Sequence, residues 1–240
     1  MTTLFISDLH LDPARPDITG QALEFLATET QGAEALYILG DLFEAWVGDD
    51  DPEHEKRRVI AALKQLTDGG LPCYFMHGNR DFLVGEGFAA ATGCRLLADP
   101  TIVELHGTKV MLMHGDTLCT DDHQYQAFRQ MVRNPSWQQA MLARPLAERV
   151  ALAKQMREAS AASMAGKSEE IMDVNQDAVE SAMREHGVYT LLHGHTHRPA
   201  VHRFELDGRE AVRIVLGDWY TQGSALSWHA DGPVLRTLPR

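Results

Sequence analysis

Leu4-Phe5-Ile6-Ser7-Asp8-Leu9-His10 opens the chain with a short apolar run that breaks into an acid and an imidazole two residues apart. The run is too short for an independent helix, so it reads as a buried strand whose carboxyl end carries chemistry. The same design recurs four times. Residues 35–39 run into Gly40-Asp41, residues 73–77 into Gly78-Asn79-Arg80-Asp81, residues 109–113 into His114-Gly115-Asp116, and residues 190–193 into Gly194-His195-Thr196-His197. Between these runs, residues 18–29, 53–67 and 85–91 space their apolar positions as helices do, with Gly69-Gly70 as a stop. Strands alternating with helices predict a layered α/β protein.

The rhythm changes after Pro199. Apolar runs flank Asp207-Gly208 and again Asp231-Gly232, both strong signals for antiparallel hairpins. Residues 124–167 read as a chain of helices punctuated by Pro135 and Pro145, placed between two strands as an insertion would be. The expected organisation is a core of residues 1–122 and 168–240 with a helical cap at 123–167.

In an open α/β sheet, ligands gather beyond the carboxyl ends of the strands. That rule predicts that Asp8, His10, Asp41, Asn79, His114, His195 and His197 converge from across the chain. In Asp8-x-His10 and His195-x-His197, an extended backbone would put both side chains on one side. Glycines at 40, 78, 115 and 194 permit tight turns and close approach. Imidazoles, carboxylates and an amide without a thiolate suit Mn²⁺, Fe²⁺ or Zn²⁺. Seven donors exceed one tetrahedral site and fit two ions about 3.5–4 Å apart with a carboxylate such as Asp41 between them, the layout of two-metal hydrolysis. His54, His106, His123, His186, His202 and His229 lack this context and read as ordinary surface or core histidines.

Composition sets the outer limits. With 240 residues, 44% hydrophobic and 23% charged, the chain suits one globular unit, and a net charge of -12 excludes a general nucleic-acid binder. Three cysteines without CxxC spacing suit a reducing compartment. No run approaches the roughly 20 apolar residues of a membrane span, and the first residues lack the basic start of a signal peptide, so the expected compartment is the cytoplasm. Against the acidic background, Arg129, Arg133, Arg144, Arg149, Lys154, Arg157 and Lys167 form a basic island opposed only by Glu148 and Glu158.

The ordered series DxH, GD, GN, a later His and GHxH resembles the calcineurin-like metallophosphoesterases, with one departure: Arg80 stands where that family usually has His. The resemblance implies a β-sandwich flanked by helices and a di-metal centre, with one ion on Asp8, His10 and His197, the other on Asn79, His114 and His195, and Asp41 shared. A His at position 80 could protonate an alkoxide leaving group, whereas a guanidinium stays charged and only stabilises negative charge. Arg80 therefore suits a leaving group that departs without a proton, such as a phosphate with its second pKa near 6. The substrate expected on that ground is a diphosphate.

With GNRD, GHTHRP (194–199), VLGDW (215–219), FISDLHL and EAWVGDD (44–50), the whole chain is similar to the UDP-2,3-diacylglucosamine diphosphatase family of lipid A biosynthesis. That likeness implies a lipid-linked nucleotide sugar substrate attacked at the α-phosphorus, giving UMP and 2,3-diacylglucosamine 1-phosphate. It also implies two Mn²⁺, a peripheral position on the inner face of the cytoplasmic membrane, and no obligate protein partner. Arg80, Asp41 and His195 become the catalytic candidates; substrate contacts fall on Asn79, Arg80, Asp122, Ser160, Lys167 and His195, with Met164 nearby and Arg157 as a further phosphate candidate. Trp137, Met141, Leu142, Leu146, Val150, Leu152, Met156 and Met164 would line an acyl groove, while cap Arg and Lys side chains face diphosphate or an anionic membrane surface. Packing of the cap on the body is the alternative use for these apolar positions. Without the family, Asp122, Ser160 and Arg157 read as a helix cap or a solvated face. Two other functions stay open: a calcineurin-like phosphodiesterase acting on a soluble nucleotide or nucleotide sugar, and a non-enzymatic scaffold that binds partners.

Overall fold

The computed structural model describes residues 2–164, 166 and 171–239. In chain order the elements are β1 (Thr2–Ile6), α1 (Pro16–Thr28), β2 (Ala33–Leu39), α2 (His54–Asp68), β3 (Cys73–Met76), α3 (Glu86–Thr92), β4 (Arg95–Leu97), β5 (Thr101–Leu105) and β6 (Thr108–Leu112). Then come α4 (His123–Val132), α5 (Pro135–Leu142), α6 (Leu146–Met164), α7 (Gln176–His186), β7 (Thr190–His193), β8 (Ala200–Leu206), β9 (Arg209–Val215), β10 (Gly223–His229) and β11 (Gly232–Leu238).

Two sheets form, one ordered β11-β10-β1-β2-β3-β4 and the other β5-β6-β7-β9-β8. β1 shows why they stack. Leu4 and Ile6 belong to the apolar cluster under α1, α2 and α3, with Ile18, Phe25, Val59, Leu63 and Phe88. Phe5, one residue away and so on the opposite face, joins Tyr37, Met76, Leu112, Leu192, Ile214 and Leu226 between the sheets. A third cluster, including Met111, Leu191, Val179 and Met183, seats α7 on the outside of the second sheet. Strands buried on both faces read as unbroken apolar runs rather than alternating ones, which is how they look in the sequence.

The open-sheet geometry used to predict convergence is thereby corrected: the layers are helix, sheet, sheet, helix. The outcome survives because β1, β2 and β3 run parallel in one sheet, as do β6 and β7 in the other. The loops after all five strands contribute to one site. The expected hairpins form, the first around Asp207-Gly208 with both residues at positive φ and the second around Ala230-Asp231, one residue earlier than expected because His229 pairs with Gly232. Three elements were not anticipated: β4, β5 and α7. Helices α4, α5 and α6 follow one another between β6 and α7, with Pro135 at the first turn of α5 and the Asn134 side chain capping it.

Candidate active site

Asp8, His10, Asp41, Asn79, His114, His195 and His197 come together. The backbone that gathers them is not extended: Asp8, His10, Asp41, His195 and His197 all have φ between +50° and +67°. Among the described residues only His106 and Asp207 share this feature without being glycine, and each precedes a turn glycine. A left-handed backbone strains residues with a Cβ, by about 1–3 kcal/mol each, and such strain clusters at functional sites. The expectation of extended DxH and HxH pairs is corrected accordingly; each donor is aimed by its own turn.

Close approach of these loops requires glycine at two points. A Cβ on Gly40, itself at φ +89°, would lie 2.6 Å from the Gly78 backbone and from His114 Nδ1. One on Gly194 would lie 2.2 Å from Asp8 Oδ2.

Around Asp8, Ser7 Oγ and the His195 N–H donate to Oδ2 at 2.5 and 2.9 Å. Its other oxygen, Oδ1, is buried with no hydrogen-bond partner and lies 3.4 Å from His197 Nε2. His10 Nε2 approaches His197 Nε2 to 3.1 Å; two lone pairs cannot face each other so closely without a proton or a cation between them. His10 Nδ1 faces Glu44 Oε2 at 3.0 Å, which turns the Nε2 lone pair toward the cluster. On the other side, His114 Nδ1 donates to the Leu39 carbonyl at 2.9 Å, leaving Nε2 on Asn79 Oδ1, also 2.9 Å away. His195 Nδ1 meets the same amide oxygen at 2.9 Å. Asp41 Oδ2 lies between the halves, 3.7 Å from His10 Nε2 and 3.9 Å from His114 Nε2.

The electrostatics favour added positive charge. Burial alone would lower the His114 pKa, but the Asp41, Asp116 and Asp8 carboxylates outweigh it and push it up to about 9. Burial and the neighbouring His114 push His195 down to about 4, so it is a neutral donor near pH 7. Burial would raise Glu44, yet the His10 hydrogen bond with Arg80 and Arg157 holds it below the usual carboxylate range. Asp8, His10 and His197, and likewise Asp8, Asp41 and His114, bring ligand atoms within 4.8 Å of one another. An orphaned buried carboxylate oxygen among facing imidazoles fits divalent cations. In the second group it is Asp8 that stands with Asp41 and His114, so both carboxylates lie between the two halves.

A cavity of about 560 Å³ opens from this cluster under the cap. Arg80, Arg157, Asp122 and Ser160 line it together with Asn79 and His195. Asp122 is also the N-cap of α4, accepting from Tyr125 N at 3.0 Å. Lys167 and the side chain of Met164 lie outside the described residues. Of the apolar cap positions expected to line a groove, Trp137, Met141 and Met156 do so. Leu142 and Val150 are instead 43% and 48% exposed, and Leu152 packs against the main core; Leu146 is half-buried and off the cavity. The opposite wall, missed in the sequence, comes from the body: Trp46, Val47, Phe82 and Leu83.

The reading of the basic island also needs correction. Arg129 Nε donates to buried Asp116 at 2.7 Å, Arg133 Nη2 to the Gly78 carbonyl at 2.8 Å, and Arg149 to Asp50 and to the Val47 carbonyl. Lys154 pairs with Glu158 on its own helix, and Arg144, in the turn before α6, pairs with Glu148. Arg157 reaches Asp12 and Glu44 at 3.4 and 3.6 Å, at the metal-ligand end. The island's charge chiefly holds the cap to an acidic body.

Sequence reasoning missed the residues that orient the donors. Asp81 accepts from Gly78 N and Leu42 N, both at 2.8 Å, tying the loops after β2 and β3. Glu44 backs His10, and Asp218 Oδ2 stands 3.6 Å from His197 Nδ1. Tyr220 stacks on His10 with centroids 5.2 Å apart. Asp81, Glu44 and Asp218 sit within the GNRD, EAWVGDD and VLGDW motifs and Tyr220 directly follows the last, so an acid inside each motif was the available signal for three of the four.

Comparison with known proteins agrees with the site. Residues 1–199 match the calcineurin-like phosphoesterase family. A protein named UDP-2,3-diacylglucosamine hydrolase from Stenotrophomonas maltophilia (strain K279a) is 53% identical over the whole of both chains. One of the same name from Chromohalobacter salexigens is 57% identical over 91% of this chain and 89% of that one, and one from Serratia proteamaculans 52% over the whole of both. The solved structure of a novel archaeal phosphodiesterase shares the fold, with TM-score 0.51 at 14% identity, covering 99% of this chain and all of that one.

Proposed function

The chain belongs to the calcineurin-like phosphoesterase family, and on that premise we propose that it hydrolyses the diphosphate of UDP-2,3-diacylglucosamine, as the name of its full-length relatives states for them. Attack at the α-phosphorus would give UMP and 2,3-diacylglucosamine 1-phosphate. The observation that carries the reading is one continuous cavity with metal-capable donors at one end and Trp46, Phe82, Trp137, Met141 and Met156 along its walls. A soluble nucleotide sugar would have no use for that apolar arm.

We assign Asp8, His10 and His197 to one Mn²⁺ and Asn79, His114 and His195 to a second, with Asp41 between them. Divalent cations there would supply Lewis acidity toward phosphoryl oxygens and lower the pKa of a coordinated water toward neutrality. The chain's own contribution is orientation and charge. Glu44 and the Leu39 carbonyl fix the two imidazoles His10 and His114 with their free nitrogens inward. Arg80 and Arg157 each keep a buried Nε without a hydrogen-bond partner beside the cluster, ready to bind phosphoryl oxygens of the leaving group. Neither can give up a proton, which matches a sugar phosphate that leaves as an anion. Asp122 and Ser160 bind the polar part of the substrate, with Lys167 and Met164 assigned alongside by family likeness. No described helix is long and apolar enough to cross a membrane; an acylated substrate would be met at the inner face of the cytoplasmic membrane by a peripheral enzyme.

The test offers detergent-solubilised UDP-2,3-diacylglucosamine beside UDP-glucosamine to the chelator-treated protein, with and without Mn²⁺. We expect Mn²⁺-dependent release of UMP from the acylated substrate and a large preference for it. Equal or faster cleavage of UDP-glucosamine would overturn the lipid reading.

A further inference from the structure

Helix α6 presents Ala153, Met156, Arg157 and Ser160 to the cavity, and Arg149, four residues before Ala153, lies on the same helical face. Eight residues at 1.5 Å each put Arg149 about 12 Å along the helix from Arg157, toward the apolar end. It does not line the cavity itself, yet it is only 3% exposed. Its Nη1 donates to the Val47 carbonyl at 2.6 Å and to Asp50 Oδ1 at 2.8 Å, its Nη2 to Asp50 Oδ2, and its Nε to the Arg144 carbonyl at 3.1 Å. One guanidinium thus ties three pieces of chain: the 47–50 loop of the body, the turn between α5 and α6, and α6. Val47 and Met141, which line the cavity, are anchored directly or through that turn. Gly48, at φ +137°, completes the arrangement, because a Cβ there would lie 2.2 Å from Arg149 Nη1 and 3.1 Å from Leu142 Cδ2.

We propose that the Asp50–Arg149 pair is a latch that closes the apolar end of the cavity and so sets how long an acyl chain the enzyme accepts. The inference rests on the function proposed above. Arg149 is a positioning residue: it backs Val47 and Met141 and touches no reacting group. Releasing it lets the 45–48 loop and α6 separate where the chain end would lie, which lengthens the arm without disturbing Asp8, Asp41 or the histidines.

The experiment measures kcat and KM for a series of UDP-2,3-diacylglucosamines of increasing acyl length, and the rate on bis-p-nitrophenyl phosphate, a soluble diester with no chain. Two variants are compared with the unmodified protein in Mn²⁺: Arg149→Met, and Asp50→Ala, whose side chain is 64% exposed and so folds safely if the first does not. We expect kcat/KM for chains longer than the preferred one, relative to the preferred one, to rise about tenfold, through KM, with the diester rate unmoved. An unchanged length profile in either folded variant, or a parallel loss on the diester, would overturn the latch. Unmodified protein that cleaves the diester but none of the acylated nucleotides would overturn the function proposed above instead.

Discussion

The strand-end loops and the cap solve opposite problems with the same residue types. At the strand ends, carboxylates and imidazoles crowd together with Asp8 Oδ1 buried and without a hydrogen-bond partner and His10 Nε2 facing His197 Nε2 at 3.1 Å, and five of the seven donors sit in a strained left-handed backbone. Among the described residues of the cap, nearly every cation has found an anion or a carbonyl: Arg129 on Asp116, Arg133 on Gly78, Arg149 on Asp50. Polar groups held apart from satisfaction mark chemistry, whereas satisfied ones mark architecture. The strongest test of that contrast is to remove one donor. Asp41→Ala should lower kcat on either substrate class by on the order of a thousandfold or more, above the 10–100-fold typical of losing a ligand's outer partner. Mn²⁺ bound per chain, measured after dialysis, should fall with it. Retention of both would break the assignment of the donor set.

A substitution one step outward sharpens the same comparison. Glu44→Gln keeps the shape but weakens the bond that orients His10, and it withdraws charge from Arg80 and Arg157. We expect a 10–100-fold loss of activity or Mn²⁺ affinity, read from a metal titration of the rate. Activity unchanged at all Mn²⁺ concentrations would remove Glu44 from the site.

The strand ends were legible in the sequence because each donor is announced locally. Asp8, His10, Asp41, Asn79, His114, His195 and His197 fall at or just past the ends of apolar runs, five times in order, and at four of those ends a glycine stands beside them. How they are aimed was not legible: positive φ at Asp8 or His197 depends on the loops that cross them, such as the bond from Trp219 N to the Asp8 carbonyl. The helices between β6 and α7 were legible as helices and as basic, but the use of their charge was misread. Whether Arg133 meets a phosphate or a backbone carbonyl is decided by residues far away in sequence, and nothing within a few positions of it signals Gly78. For the same reason the body wall of Trp46 and Phe82 went unnoticed, since the two halves of a cavity need share no pattern.

If cap cations are architectural, removing the one that holds a fully buried carboxylate should cost stability before chemistry. Arg129→Met leaves Asp116 buried with only Tyr125 Oη, at 2.6 Å, as a side-chain donor. Breaking a buried pair from one side costs about 3–5 kcal/mol, so denaturant midpoints should drop sharply. The diester rate of the folded fraction should fall far less than in Asp41→Ala. A variant as stable as the parent but inactive would place Arg129 with the chemistry.

The Asp50–Arg149 pair should show the smallest effect and the clearest dependence on conditions, because Asp50 faces solvent while Arg149 does not. The Arg149 hydrogen bonds hold the Asp50 carboxyl below its ordinary value near 3.8. A carboxyl depressed in the folded state favours folding above the unfolded pKa, and that contribution fades as pH falls through the folded value. The stability difference between parent and Asp50→Asn should therefore be constant from neutral pH down to about pH 5 and vanish well below 3.8. Exposure of one partner allows screening, so 1 M salt, with a Debye length of about 3 Å, should shrink it. The Arg129 variant's deficit should resist the same salt, because Asp116 is fully buried. Equal salt sensitivity in the two would mean that both anchors are surface pairs, and the cap would then be held by its apolar contacts alone.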